Sequence, residues 1–115
     1  MSEEQELKKG STPILILAVL AEGPRHGYAI AREIERRSRE ALSVGEGALY
    51  PALRGLEAEG FIEGLWEEIG SGPARKRYSL TPDGARELQK RTQSWRKYVQ
   101  AVNRVMGGLT DAEPA

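Results

Sequence analysis

Residues 45–60, GEGALYPALRGLEAEG, have the spacing of a single helix with an unusual outer face. Leu49, Leu53 and Leu56 recur at i, i+4 and i+7, which is the buried stripe of an amphipathic helix. The opposite face carries small residues, one tyrosine and one arginine, where a soluble helix ordinarily has several lysines and glutamates. The segments on either side of this stretch indicate what so small a face contacts.

The start and end of this helix are marked by local signals. Ser43 and Glu46 are spaced as a capping box, and Gly60 is a typical left-handed stop. Pro51 removes a backbone donor, and its ring crowds the preceding turn. The sequence therefore predicts a helix that either begins late, near residues 46–48, or bends at Pro51.

Two helices are predicted before this stretch. Thr12-Pro13 is typical of a helix start and Gly23-Pro24 of a helix end. Because the segment between them is apolar nearly all round, the first helix is expected at the centre of the core. The second helix is predicted from about Tyr28 to Arg39. Residues 1–11, which precede both helices, are interpreted as a flexible arm.

After the stretch, the pattern changes to that of two strands and a long helix. Residues 61–67 and 75–80 alternate as strands, and Gly-Ser-Gly-Pro at 70–73 is turn chemistry, so a hairpin with a basic return strand is predicted. Thr81-Pro82 then opens a helix that ends near Met106. A disordered tail is expected over residues 108–115.

Three helices followed by a hairpin have the element order of a winged helix. The fold class expected is mainly α with a small β-hairpin: a winged helix-turn-helix over residues 12–81 and one long C-terminal helix over 82–107. In winged helices the third helix enters the major groove and the hairpin contacts the backbone. Small side chains admit a helix deeply into the groove, and cations neutralise phosphates. The predicted DNA-binding residues are Gly47, Ala48, Tyr50, Arg54, Arg75, Lys76 and Arg77.

Composition excludes several other classes of protein. The 115 residues contain no cysteine and carry no net charge, so disulfides and thiolate metal sites are excluded, and a reducing cytoplasm is the expected location. The longest apolar run, residues 14–21, is too short to cross a bilayer. No nucleophile motif or phosphate loop is present, so no enzymatic activity and no cofactor are expected. His26, the one histidine, is either a pH-sensitive or ligand-contacting group or, as is more common for a lone histidine before a helix, a cap or packing residue. No carboxylates are spaced to complete a metal site with it.

A protein-interaction module is the alternative to a DNA-binding protein. In that case the small face of the third helix packs on a protein partner, and the wing cations serve only solubility. Replacing Tyr50 and Arg54 separates the two hypotheses, because the lost partner is DNA in one and a protein in the other.

Three segments carry a resemblance to a known family. HGYAIAREIE (26–35), GALYPALRGLEAEGFIE (47–63) and GPARKRYSLTPDGARELQ (72–89) resemble the PadR-type transcriptional regulators, in the short subclass with one C-terminal dimerisation helix. The resemblance implies a dimeric repressor of nearby genes that a small molecule releases. The sequence departs from the family at Ala48, where members often carry Thr or Ser, and at Gly55, where they often carry Lys or Arg. Both departures indicate weaker binding or a different site.

The last helix has an apolar repeat that predicts a homodimer. Its members are spaced 4, 3, 4, 3 and 4 residues apart, as in a heptad pattern. We call these residues the α4 seam: Leu88, Thr92, Trp95, Val99, Val102 and Met106. A twofold protein of this kind is expected to bind double-stranded DNA at a palindromic operator, with half-sites about one DNA turn apart.

Trp95, near the middle of this repeat, has two interpretations. Large aromatic side chains usually serve packing, which makes Trp95 a residue of the dimer core. Alternatively, two symmetry-related tryptophans flank a pocket for a small planar aromatic effector, as in some short relatives of this family. Tyr98, Val99 and Val102 are the other predicted lining residues of that pocket.

Overall fold

The computed structural model describes residues 3–107, with side chains from Gly10 onward. Four helices and a small antiparallel sheet make up this part of the chain, which confirms the predicted fold class. The elements are α1 (Glu3–Leu20), β1 (Arg25–His26), α2 (Gly27–Arg37), α3 (Glu46–Ala58), β2 (Ile62–Glu67), β3 (Arg75–Leu80) and α4 (Pro82–Val105).

The core lies where α1 crosses α2, α3 and the sheet. Ile16 and Leu17 of α1 are fully buried, as the apolar sequence of the first helix predicted. The predicted stripe of α3, Leu49, Leu53 and Leu56, is buried against them in the same cluster. No helix in the described part of the chain is long and apolar enough to span a membrane.

The sheet has the strand order β1-β3-β2, with both pairs antiparallel. The predicted hairpin is confirmed, with Ile62 opposite Leu80 at its base and Glu67 opposite Arg75 near its tip. β1 was not predicted, because two residues are too few to show an alternating pattern. Through β1, the start of α2 is joined to the wing.

Two predicted boundaries are wrong. α1 begins at Glu3 and contains Pro13, so the predicted helix start at Thr12-Pro13 is not the start of the helix. The segment EEQELKK consists of good helix formers, which explains the extension. α2 ends at Arg37 and not at Arg39, since Arg39 and Glu40 both have positive φ angles. The expected tail over 108–115 lies outside the described residues.

α3 begins at Glu46, within the late start that Pro51 predicted, and Pro51 lies inside it. The predicted capping box is wrong: the N-cap residue is Gly45, and no side chain caps it. Gly60 has a φ of +81°, which confirms the left-handed stop.

α4 is fixed to the domain at its first turn. Thr81 is the predicted N-cap: its Oγ1 accepts a hydrogen bond from the Gly84 N–H at 3.0 Å and donates one to the Gly60 carbonyl at 2.7 Å. A Cβ on Gly84 would overlap the Phe61 carbonyl oxygen, so only glycine allows this close approach. The 24 residues of α4 extend about 36 Å, in a molecule of 56 × 29 × 28 Å.

Candidate nucleic-acid interface

α3, the start of α2 and one face of the sheet enclose a cleft of about 710 Å³, which we call the α3–wing cleft. It brings together four of the seven predicted DNA-binding residues: Tyr50, Arg54, Arg75 and Lys76. Its other lining residues are His26, Gly27, Tyr28, Trp66, Ala74 and Tyr78. Aromatic rings and cations thus share one concave surface, which suits sugar and phosphate groups.

The small residues of α3 lie outside this cleft, along the exposed surface of the helix. Gly47 and Gly55 are exposed, and a Cβ at either position would meet no heavy atom within 4 Å. Ala48 is half-buried. Packing within the chain therefore does not require glycine at these two positions, although Gly55, in the helix interior, lowers helix stability by about 1 kcal/mol relative to alanine.

Tyr50 is positioned by a glycine on α2. Its ring lies against Gly27, where an added Cβ would be 3.3 Å from the ring carbon Cε1. The remaining edge of Tyr50 is exposed, with 37% of the residue accessible. The hydroxyl lies beside the same glycine, 3.6 Å from where its Cβ would be, so the phenol forms part of the cleft wall next to α2.

Arg54 and Arg75 are the cations of the cleft that are open to an external anion. Both are exposed, and in the described part of the chain neither forms a salt bridge with a carboxylate. They come from α3 and from the wing, on two sides of the same cleft. Arg75 stands at the first position of β3, so it lines the wing end of the cleft, whereas Arg54 lines its helix side.

Lys76 is already paired within the chain. Its Nζ donates to Glu57 Oε1 of α3 at 2.9 Å, and this bond raises the lysine pKa. The ammonium also lies 5.8 Å from the ring centre of Trp66 and 5.6 Å from that of Tyr78. A Cβ on Gly64 would overlap the Lys76 stem, so the glycine leaves room for it to cross β2.

Arg77 does not line the cleft, because it points to the face of β3 opposite Lys76 and Tyr78. Arg75 shares that face but reaches the cleft at the end of the strand. Its Nε donates to Glu67 Oε2 at 2.9 Å, and Nε2 of His26 lies 2.9 Å from Glu67 Oε1. The pKa of the Glu67 carboxyl is lowered mainly by its hydrogen bond with Arg77 and, to a smaller extent, by that with His26. His26 occupies the N-cap position of α2, but its side chain contacts Glu67 instead of capping the helix.

Several lining residues of the cleft were not predicted from the sequence. Trp66 could have been found, because it stands directly opposite Lys76 in the predicted hairpin. Tyr28 could not have been found in the same way, since its position in the cleft depends on how α2 packs beside α3. Its hydroxyl accepts a hydrogen bond from Arg32 Nη1 at 2.7 Å, and the Arg32 guanidinium lies 5.4 Å from the ring centre.

A second groove, of about 370 Å³, lies between α1 and α4. Trp95 and Tyr98 line it, with ring centres 6.2 Å apart, whereas the predicted pocket residues Val99 and Val102 do not. Its remaining lining residues are Gly10, Ile14, Lys90, Arg91 and Ser94. Among the described residues, no three His, Asp or Glu side chains are grouped to hold a metal ion.

The α4 seam is covered at its beginning and open further along. Leu88 packs against the core of its own chain, while Thr92 and Val102 are half-buried. Trp95, Val99 and Met106 are 49%, 38% and 52% exposed. The distal half of α4 therefore presents apolar side chains that the described part of this chain does not cover.

The family model for the "Transcriptional regulator PadR-like family" matches residues 16–90, which include α2, α3, the wing and the start of α4. The chain belongs to this family. Its winged helix is accordingly the DNA-binding domain of a PadR-family transcriptional regulator, as the sequence motifs predicted.

Individual relatives agree in sequence and in structure. A transcriptional regulator of Mycobacterium tuberculosis is 31% identical over 104 residues, which cover 90% of this chain and 91% of that protein. A transcriptional regulator from Clostridium thermocellum superposes with a TM-score of 0.80 at 27% identity, over 86% of this chain and 96% of that one. Bacillus subtilis PadR in complex with operator DNA superposes with a TM-score of 0.63 at 31% identity, over 68% of this chain and 44% of that one.

Proposed function

We propose that this PadR-family regulator is a homodimeric, sequence-specific repressor that binds a palindromic operator and is released by a small planar aromatic effector. The observation that carries DNA recognition is the α3–wing cleft, where Arg54 and Arg75 lack carboxylate partners in the described part of the chain. The solved complex of Bacillus subtilis PadR with operator DNA supports the same use of the winged helix here. No catalytic step forms part of this function.

Each element of the interface has a distinct contact in this proposal. Gly47, Ala48 and Gly55 admit α3 into the major groove, since none projects a long side chain from the exposed face. Tyr50 and Arg54 contact a phosphate or a base edge, and Arg75 contacts the backbone beside the groove. Arg77 acts in the wing only after competition with Glu67.

The α4 seam supports the homodimer. Trp95, Val99 and Met106 expose apolar surface on the half of α4 that projects from the domain. Burying such surface is favourable by roughly 25 cal/mol per Å², and a second copy of the helix supplies a matching apolar repeat. Two copies also double the cations offered to DNA, which the neutral net charge of one chain makes important.

The groove between α1 and α4 supports the effector. Trp95 and Tyr98 give it aromatic walls, and Lys90 stands at its edge without an ion-pair partner among the described residues. Arg91 is bound to Glu87 at 2.7 Å. These groups favour a planar aromatic molecule that is neutral or negatively charged. Because the groove touches both the domain and the dimer helix, an occupant would change how they meet.

DNA recognition is tested by fluorescence anisotropy with the duplex immediately upstream of this protein's own gene and with a scrambled duplex. The wild type is expected to prefer the native duplex, and Arg54→Gln to lose about tenfold in affinity for it, the cost of about one good polar contact. Arg96→Gln is the matched control, because it removes the same charge from an exposed position on α4 that lies outside the cleft and, like Arg54, has no salt bridge among the described residues.

Equal, weak binding to both duplexes, unchanged in Arg54→Gln, would contradict a sequence-specific regulator and favour a protein partner for α3. Repression itself is read from transcription in vitro on the same promoter, which should fall as protein is added. Effector binding is read from Trp95 fluorescence in a Trp66→Phe background. If no planar aromatic compound in a panel changes that fluorescence, the effector part of the proposal fails.

A further inference from the structure

The ion pair between Glu57 and Lys76 joins the recognition helix to the wing. Glu57 belongs to α3, one turn beyond Arg54, and Lys76 belongs to β3. The two side chains are 32% and 26% exposed, so the pair is only partly open to water. It therefore crosses from one DNA-contacting element to the other, beside the cleft that the phosphate backbone would occupy.

Lys76 is held more firmly than a surface lysine. Its ammonium has a charged hydrogen bond to Glu57 and lies near the faces of Trp66 and Tyr78. Its stem lies over Gly64, where any larger residue would displace it. This side chain therefore keeps its charge and its position, but it offers that charge to a carboxylate of its own chain.

Arg75 provides the contrast one residue away. It is exposed and has no carboxylate partner in the part of the chain that the structure describes. A simple phosphate-binding wing would leave both neighbouring cations free, because each free cation adds about 0.9 to the salt slope of binding. Glu57 does the opposite, since it neutralises one of them and brings a negative charge close to the DNA-facing surface.

We propose that Glu57 is a specificity-determining residue, which withholds Lys76 from phosphate and so limits sequence-independent binding to DNA. The inference rests on the DNA-binding function proposed above. Sequence-independent complexes depend on phosphate contacts alone, so a released, flexible lysine would bond whichever phosphate is nearest. In the operator complex the base contacts of α3 fix the position of the wing. A released Lys76 therefore adds less affinity there than in a sequence-independent complex.

The charge-neutral, nearly isosteric change Glu57→Gln tests this proposal. On a scrambled duplex at about 100 mM salt, it is expected to raise affinity about fivefold and to steepen the salt slope by about 0.9 for each bound subunit. On the native duplex the gain should be less than about twofold, so the ratio of the two affinities falls. Glu63→Gln is the matched control: it makes the same charge change at an exposed position on β2, outside the cleft.

Repeating Glu57→Gln in a Lys76→Gln background separates charge withholding from a merely structural role. There the salt slope should not steepen, because no lysine remains to be released. Urea denaturation of each variant shows whether the fold is kept. The proposal is overturned if Glu57→Gln leaves scrambled-duplex affinity and slope unchanged, if it weakens them, or if Glu63→Gln has the same effect. The native-to-scrambled ratio of the wild type tests the proposed function separately.

Discussion

Apolar side chains are buried in the winged-helix domain but exposed on the distal half of α4. In the domain, Leu53 is fully buried in the core cluster that includes Ile16 and Leu17 of α1. In the distal helix, Val105 is 87% exposed and Trp95 is 49% exposed. The domain thus buries its apolar side chains within one chain. The described part of the same chain leaves apolar side chains of the distal α4 exposed. In the proposed homodimer, a second copy of α4 would cover this surface.

The glycines show the same contrast on a smaller scale. Gly84 and Gly64 are required by contacts within the chain, with the Phe61 carbonyl and the Lys76 stem respectively. Gly47 and Gly55 face open space. The inner glycines serve the fold, and the outer glycines of α3 lie on the surface that would enter the major groove in the proposed complex.

The largest effect is expected from a cavity in the domain. Leu53→Ala should lower the free energy of unfolding by about 2–5 kcal/mol, because Leu53 is fully buried and its neighbours cannot close the space. Val105→Ala, at the exposed end of α4, should change it by less than about 0.5 kcal/mol. Urea denaturation measures both. Equal losses would remove the contrast between the two regions.

Gly84→Ala tests the junction between them. The added methyl would overlap the Phe61 carbonyl, so the first turn of α4 must move, at a cost of about 1–3 kcal/mol in unfolding free energy. Gly55→Ala is the opposite case and should stabilise the fold by about 0.5–1 kcal/mol, while weakening operator binding. Thermal denaturation and anisotropy check the pair. A stabilised Gly84→Ala would show that α4 is not held closely at its start.

The smallest effect concerns the charged surface of the domain. Arg36 and Arg37 both bond the Glu33 carboxylate and lower its pKa from 4.5 to about 2. A carboxyl whose pKa is lowered by folding contributes stability above pH 4.5, and this contribution is lost as the pH falls toward 2. Glu33→Gln should therefore lose less stability than the wild type over that range, as acid titration of the urea midpoint would show. Parallel losses would mean that the three-residue cluster does not affect folding.

The fold was largely predictable because its signals are local. The stripe of α3, the turn at residues 70–73 and the Thr81 cap each lie within a few residues, and all three are confirmed. The errors occurred where local signals compete. Thr12-Pro13 is typical of a helix start, but the helix formers before it continue α1 back to Glu3.

The site was less predictable, because it depends on contacts between distant segments. The cations of the wing were visible in the sequence, but only the fold shows that Lys76 is bound by Glu57, 19 residues away. Likewise, the pairing of Arg77 with Glu67 follows from strand register and pleat, not from charge pattern. The structure was therefore needed to show that, of the three wing cations, Arg75 has no carboxylate partner among the described residues.

Sedimentation velocity of the free protein over a range of micromolar concentrations tests the central contrast most directly. The wild type is expected to sediment at twice the 12.7 kDa mass of one chain, and Val99→Asp, with a charge in the α4 seam, as a folded monomer. A wild type that remains monomeric across the whole range, with its fold intact, would contradict the proposed role of α4.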